Sequence, residues 1–451
     1  MGNIMHIPLI NIANWVALTI TDGFLLLLLV SSLREREKRA ALFSLAAAAV
    51  NTGIWFFFIF PPSLSWVSAV NLAVVVLLIG LIVISAIKYF PSLPQRDLSH
   101  VRPFDERDAM FSRNMLQFHP HLAEIYYAAH PGAKEIDRKV HEKPELGEPG
   151  HSYYDTYYSP FFDAAFGYLA RTRGAARGEA APEKKNIDPA AFSRVIDKMA
   201  RFYGAVDVGI TGLKSYHLYS HAGRHAENWG ERIENNHCTA IAIVVAMDTN
   251  MIKAAPGLPI ILESSRQYVE AAKIAHIIAG YIRSFGYDAR AHTDGNYQVL
   301  CVPTAVDAGL GVLGRIGLLM HPVHGPCVRL SVVTTELELP QLPPPGKKST
   351  LSTIEHFCGI CKKCAHNCPT QSIGKEEEPV SRGFRHWSVN QETCFSYWKN
   401  IGTDCGFCIR VCPYTKPDTL VHRLVRFYIS RNPVNQRIAL LMDDLFYKRK
   451  Y

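Results

Sequence analysis

The chain has 451 residues, 48% of them hydrophobic and 20% charged, with a formal net charge of +8. That length and apolar content exclude a disordered chain and leave room for two or three domains with cores of their own. The charge is modest and partly sits beside apolar stretches, where it speaks of membrane orientation; no nucleic-acid-binding module is visible.

Three apolar stretches come first, Trp15–Leu33, Ala40–Phe60 and Val67–Ile87. Each is close to the roughly 20 residues a helix needs to cross a bilayer, so residues 1–90 are expected to form a three-helix transmembrane anchor. The first stretch has no basic n-region before it, no small-residue cleavage site and two further spans behind it, and is expected to stay uncleaved. Arg34-Glu35-Arg36-Glu37-Lys38-Arg39 joins the first two stretches, whereas Met1–Asn14 and Pro61–Trp66 carry no Lys or Arg. The positive-inside rule then puts the basic loop, and everything after Lys88, in the cytoplasm. No twin-arginine pair precedes the first stretch, which agrees with a multi-pass protein of the cell inner membrane whose catalytic part faces the cytoplasm. Asp22 falls within the first stretch, where a carboxylate is costly. It reads either as part of a quinone or proton path or as a group hydrogen-bonded to a neighbouring helix. No histidine lies between His6 and His100, so the spans offer no bis-histidine haem site.

Residues 91–189, rich in Pro, His, Tyr and charge, are expected to be an extended wrapping segment and linker. Residues 190–342 read as an α/β domain. Ala190–Tyr203 and the strongly amphipathic Gln267–Phe285 have helical patterns, and Cys238–Met247, Tyr297–Val302 and Cys327–Thr335 read as strands. Between the last two lie Gly309, Gly311, Gly314 and Gly317. They match neither a dinucleotide fingerprint nor a P-loop, and suit a loop whose backbone closely approaches a large planar cofactor. Pro343-Pro344-Pro345-Gly346 marks the boundary to the next module, residues 343–417, and capping helices are expected in 418–451.

Eight of the eleven cysteines fall between Cys358 and Pro413. Cys358, Cys361, Cys364 and Cys368-Pro369 form C-x2-C-x2-C-x3-C-P; Cys394, Cys405, Cys408 and Cys412-Pro413 form C-x10-C-x2-C-x3-C-P. In such runs three close thiolates wrap one cubane and the fourth, followed by proline, reaches across to the neighbouring one. The spacing therefore predicts a ferredoxin-like module with two 4Fe–4S clusters, one held by Cys358, Cys361, Cys364 and Cys412, the other by Cys394, Cys405, Cys408 and Cys368. Structural zinc and disulfides suit a doubled 2-2-3 spacing poorly. Cys238, Cys301 and Cys327 stand alone in apolar runs and read as buried thiols.

Residues 264–335 together with the cysteine motifs resemble the corrinoid-dependent reductive dehalogenases. The matching words are Tyr268 near the head of a helix ending Tyr281-Ile282-Arg283-Ser284-Phe285-Gly286-Tyr287, then Val302-Pro303-Thr304-Ala305-Val306-Asp307-Ala308-Gly309-Leu310-Gly311, then Gly325-Pro326-Cys327-Val328-Arg329-Leu330, then the run opening Phe357-Cys358. The resemblance spans roughly Pro144 to Pro417. It implies a nitroreductase-like α/β domain holding a base-off corrinoid, in keeping with the lack of a D-x-H-x-x-G motif, and clusters that feed electrons to cobalt. It also implies that a small organohalide is reduced to the dehalogenated product and halide. By position Tyr268 is the implied proton donor, with Asn296 and Arg329 shaping its pocket, and Gly309, Gly311, Gly314 and Gly317 the candidate corrinoid contacts. A phenol near its usual pKa of about 10 keeps its proton at neutral pH, and a neighbouring guanidinium stabilises the phenolate left behind. The family's usual form is exported and docks on a separate three-span anchor, whose E-x-E loop Glu35-Arg36-Glu37 resembles; here anchor and catalytic part share one chain. The electron donor, a quinol or another carrier, is open, as is homodimerisation. An epoxyqueuosine-reductase-like enzyme and a membrane-bound electron carrier without its own substrate are the competing readings; the three spans weigh against the first and the 264–335 pattern against the second.

Overall fold

The computed structural model describes residues 6–61, 65–90, 101–342, 348–376, 387 and 389–447. The chain divides into two units, one built from Met1–Ser92 with Lys416–Tyr451, the other from Leu93–Thr415. The expected boundary at Pro343–Gly346 lies outside the described residues.

In the first unit, helices α1 (His6–Arg34), α2 (Lys38–Ile59) and α3 (Ser65–Ala86) are long and apolar enough to cross a membrane. The Asp22 carboxylate meets a neighbouring helix: it accepts from Asn51 Nδ2 at 2.7 Å and Thr52 Oγ1 at 2.6 Å on α2. In the Glu35 loop, Glu35 Oε1 accepts from Ser31 Oγ at 2.7 Å and from His422 Nε2 at 2.8 Å. Burial opposes that charge, but the His422 and Ser31 hydrogen bonds and the cationic neighbours win and hold the carboxyl at about 2.

The second unit opens with helices where an extended segment was expected: α4 (Met110–Met115), α5 (Pro120–Ala129), α6 (Pro131–His141) and α7 (Ser159–Thr172). The prolines that suggested extension sit at the first helical turn of α5, α6 and α7, where no N–H is needed and the fixed φ favours a helix start. Arg113 of α4 ties this layer together, with Nη2 2.7 Å from Asp137 of α6 and Nη1 2.6 Å from Glu392.

After α8 (Pro189–Phe202) come β1 (Asp207–Gly212), β2 (Thr239–Ala246), α9 (Thr249–Lys253), α10 (Leu258–Arg283) and β3 (Ala289–His292). Then follow α11 (Cys301–Asp307), the short hairpin β4 (Val312–Leu313) and β5 (Leu319–Met320), and β6 (Val328–Thr335). The sheet has the order β1-β2-β6-β3 and every pairing in it is antiparallel; Val245 of β2 sits opposite Arg329 of β6. Helices thus pack on an antiparallel sheet. The central strand β2 is buried on both faces, and the two-residue period divides its side chains between two cores. Ile241, Ile243 and Val245 join Ile196 of α8 and Ile274, Ile278 and Ile282 of α10, while Ala240, Ala242 and Val244 join Ala305 and Leu310. The stretch Tyr297–Val302, expected as a strand, instead leads into α11, with only a single bridge from Val299 to Leu218. The thiol of Cys238, expected to be buried, belongs to an exposed residue just before β2.

The cysteine module comprises α12 (Lys348–Cys361), α13 (Lys363–His366), α14 (Gln391–Ile401) and α15 (Phe407–Arg410). The chain then forms α16 (Leu420–Ile429) and α17 (Pro433–Tyr447) of the first unit.

Candidate active site

Positions 264 and 268 are one turn apart on α10, so Ser264 and Tyr268 share a face of that helix. Arg329 comes to the same place from β6: its guanidinium carbon lies 4.9 Å from the Tyr268 ring centroid, and its Nη2 donates to Ser264 Oγ at 2.6 Å. Ser264 in turn donates to Asp404 Oδ2 at 2.6 Å, and that carboxylate is 3.7 Å from Arg329 Nη2. A polar chain therefore runs from the tyrosine to the residue immediately before Cys405. Among the described residues none takes a hydrogen bond from the Tyr268 hydroxyl, and Arg329 Nε is buried without a hydrogen-bond partner. Both groups are left to meet something that enters the site.

The electrostatics follow from the packing. Burial pushes the Tyr268 phenol up to about 12, with the Arg329 charge pulling the other way and Asp294, Asp404 and Cys301 adding to the rise. Burial likewise raises the Asp404 carboxyl, against the pull of Arg329 and the Ser264 hydrogen bond. Arg329 keeps its proton: burial works against it, but Tyr268, Asp404 and Asp294 outweigh that cost.

Tyr268 and Arg329 line a cavity of about 680 Å³ walled by Tyr216, Tyr219, Tyr297, Cys301, Trp387 and several aliphatic side chains. Its wall also includes Gly317 and Glu355, the latter one helical turn before Cys358 on α12. Of the four glycines singled out from the sequence, Gly317 faces this cavity. Gly311 and Gly314 serve the β4–β5 hairpin instead. A Cβ on Gly311 would sit 2.5 Å from the Met320 carbonyl oxygen, and one on Gly314 2.6 Å from Met320 Cγ, so only glycine lets the hairpin close. Gly309 has a φ of +76° in the turn after α11. Asn296 opens onto a neighbouring cavity of about 420 Å³, where its Oδ1 accepts from Arg290 Nη2 at 3.1 Å; Tyr297 borders both spaces.

The eight motif cysteines separate into two neighbourhoods. Cys358, Cys361, Cys364 and Cys412 influence one another's ionisation, as do Cys368, Cys394, Cys405 and Cys408, and Cys364 and Cys408 stand where the two sets meet. Burial, reinforced by the neighbouring thiols, pushes Cys358 and Cys405 up to about 12 and Cys394 up to about 11. A thiolate at these places needs positive charge beside it, which iron supplies. Among the described residues no group of three or more His, Cys, Asp or Glu is gathered to hold a single metal ion. A cubane takes one thiolate on each of its irons, spread over a wider volume. Arg315, from the glycine-rich loop, binds this module: its guanidinium donates to the carbonyls of Gly359, Gly374 and Lys375 and lies 4.7 Å from the Trp387 ring centroid.

Ser264, Asp404 and Arg315 are the functional candidates that sequence reasoning missed. Ser264 and Asp404 are 140 residues apart, and neither belongs to a recognisable word. Arg315 lies within the glycine-rich run, where no spacing marks it out.

A helix-covered antiparallel sheet, a tyrosine–arginine pair on the wall of a cavity and an adjoining cysteine module define a protein with a binding chamber beside its cysteines. Residues 357–416 match the family described as 4Fe-4S dicluster domain. The chain resembles the corrinoid-dependent reductive dehalogenases, and several of its curated relatives are named reductive dehalogenases. It is 33% identical over 219 residues to a tetrachloroethene reductive dehalogenase of Desulfitobacterium hafniense, an alignment covering 46% of this chain and 38% of that protein. It is 28% identical over 291 residues to the tetrachloroethene reductive dehalogenase of Sulfurospirillum multivorans, covering 57% of each. It shares its fold with a catabolic reductive dehalogenase solved in complex with 3-bromo-4-hydroxybenzoic acid, at a TM-score of 0.65 and 22% identity over 81% of this chain and 49% of that one. The chain thus spans 38% to 57% of the length of these two curated relatives.

Proposed function

We propose that the chain is a membrane-anchored enzyme that reduces an organohalide R–X to R–H and halide, taking up two electrons and one proton. The observation that carries this reading is the Tyr268–Arg329 pair, 4.9 Å apart, on the wall of a cavity that also reaches Glu355 beside the first cysteines. The cavity's tyrosine and aliphatic walls, with the buried Arg329 Nε left without a partner, suit a large, flat, mostly apolar group with polar edges. A corrinoid fits that description; Gly317 and the Val299–Pro303 wall would lie against it. When bound, it supplies a reducible cobalt that engages the halide or the carbon bearing it. The nitroreductase-like reading of the domain and the base-off state of the corrinoid belong to the same proposal.

The protein's own residues do the rest. Tyr268 holds a proton that solvent at neutral pH does not remove, and its hydroxyl is free to give it to the developing carbanion as the carbon–halogen bond breaks. Arg329 stabilises the phenolate and is held in place by Ser264 and Asp404. The apolar walls keep water from the reduced centre. Electrons arrive through two 4Fe–4S clusters, one on Cys358, Cys361, Cys364 and Cys412, the other on Cys394, Cys405, Cys408 and Cys368. A quinol or another carrier feeds them, on the cytoplasmic face that the basic Arg34–Arg39 loop indicates.

The test is reconstitution of the iron-loaded chain with a corrinoid and a reduced dye, assayed for halide release against haloaromatics and haloalkenes. Corrinoid-dependent halide release is expected. A chain with full iron that retains no corrinoid through purification, or retains it and releases no halide from any member of the panel, overturns the reading.

A further inference from the structure

Helices α16 and α17 are inside out for a water-soluble surface. On α17, Val434, Ile438, Leu441 and Leu445 recur at the spacing of one helix face, with Met442 at its edge, and all are exposed. Leu420, Leu424 and Phe427 form the same kind of stripe on α16. Leu441 is 65% and Phe427 63% exposed, whereas the polar Asn435 and Gln436 of α17 are fully buried. A helix in water puts its apolar stripe inward and its amides outward; here the solvent-facing side is the apolar one.

The polar side is turned toward the ends of the spanning helices. Asn435 Nδ2 donates to Ser85 O at 3.1 Å, and Asn432 Nδ2 to Ile84 O at 2.9 Å and Ile87 O at 3.1 Å, which gives carbonyls at the end of α3 side-chain partners. Arg431 Nη2 joins them on Ala86 O at 2.6 Å. Arg39, in the first turn of α2, donates to Leu445 O at 3.1 Å, and His422 holds Glu35 between α1 and α2. These contacts fix α16 and α17 at the end of the bundle where α1 stops, α2 starts and α3 stops. Their exposed apolar stripes therefore sit at one end of the apolar three-helix bundle.

We propose that α16 and α17 lie in the membrane surface as an interfacial collar around the base of the spans, with Phe427 and Leu441 among the acyl chains and headgroup boundary of the bilayer. The proposal rests on α1–α3 being membrane spans. The geometry suits the occupant: α17 is roughly 22 Å long at a rise of about 1.5 Å per residue, and interfacial helices bury their apolar faces roughly 5–10 Å into the headgroup region. Arg437, exposed beside the α17 stripe, is placed to reach phosphate groups. The Glu35–His422 contact then serves as a latch between the collar and the loop joining the first two spans.

The experiment introduces a photo-crosslinking phenylalanine analogue singly at Phe427, Leu441 and, as the reference within a span, Leu77. The full chain is iron-loaded and placed in nanodiscs of phosphatidylethanolamine and phosphatidylglycerol, and the adducts are identified by mass spectrometry. Lipid adducts at Phe427 and Leu441, in yields within about twofold of Leu77, are expected. Lipid at Leu77 but protein adducts, from a second copy or from this chain, at Phe427 and Leu441 would overturn the collar, as would no adduct at either. No lipid adduct at Leu77 would overturn the spanning reading beneath it.

Discussion

Replacing Tyr268 by phenylalanine removes one oxygen and leaves the ring over the Arg329 guanidinium, so the attraction across that 4.9 Å contact survives and the cavity keeps its shape. What goes is the proton. With the phenol at about 12, only about one molecule in 10⁵ is ionised at pH 7, so the parent enzyme enters each turnover protonated. A positioned general acid contributes typically about 10²- to 10⁴-fold, or about 3–5 kcal/mol of barrier. Tyr268→Phe should lower the rate of halide release by that factor, with iron content and corrinoid retention unchanged. The pH profile adds a second reading. A phenol raised to about 12 gives no alkaline limb between about pH 6 and pH 9, so the parent rate should be flat there as far as this group is concerned. A Tyr268→Phe rate within about threefold of the parent, cofactors intact, would refute the assignment. A limb near pH 8 in the parent that vanishes in the variant would keep the tyrosine and refute the electrostatics.

If the proposed two-cluster arrangement holds, Cys408→Ser removes a ligand from the set with Cys368, Cys394 and Cys405, and iron analysis after anaerobic reconstitution should show a loss of about half the iron, with the other cluster's spectrum retained. Arg113→Met leaves the Asp137 carboxylate buried without its guanidinium and should cost about 3–5 kcal/mol, read as a lowered midpoint in thermal or denaturant unfolding of the second unit's signal. Glu35, held at about 2 against an ordinary 4.5, favours the folded state at all pH values above 4.5. That contribution is lost as pH falls from about 4.5 through about 2. The stability gap between the parent and His422→Gln, measured by melting in detergent, should therefore narrow as pH falls across that acid window.

Those features of the fold that depend on neighbours in sequence were legible, and those that depend on folding were not. The three long apolar helices could be read from their unbroken runs of apolar residues, and the α10 and β2 patterns because their periods repeat within one element. The cysteine spacing carried its own crossing rule, from which the two proposed ligand sets are read. Residues 91–189 misled because proline marks both extended chain and the first turn of a helix, and only the packing around Arg113 decides between them. Tyr297–Val302 misled because six apolar-leaning residues look alike whether they form a strand or approach a helix; Pro303, inside the first turn of α11, was the discriminating signal. The site shows the same division. Tyr268 and Arg329 could each be named from a motif word, but their meeting depends on α10 lying across β6, and Asn296, in the loop after β3, turns toward Arg290 instead. Ser264 and Asp404 had no word to announce them. Their importance comes from a contact between the α10 face and the residue before Cys405, and so from the way the cysteine module closes against the sheet domain. Arg329 is the junction: it touches the tyrosine on one side and, through Ser264, the cysteine loop on the other, so a change at Asp404 reaches Tyr268, the proposed proton donor, through Ser264 and Arg329.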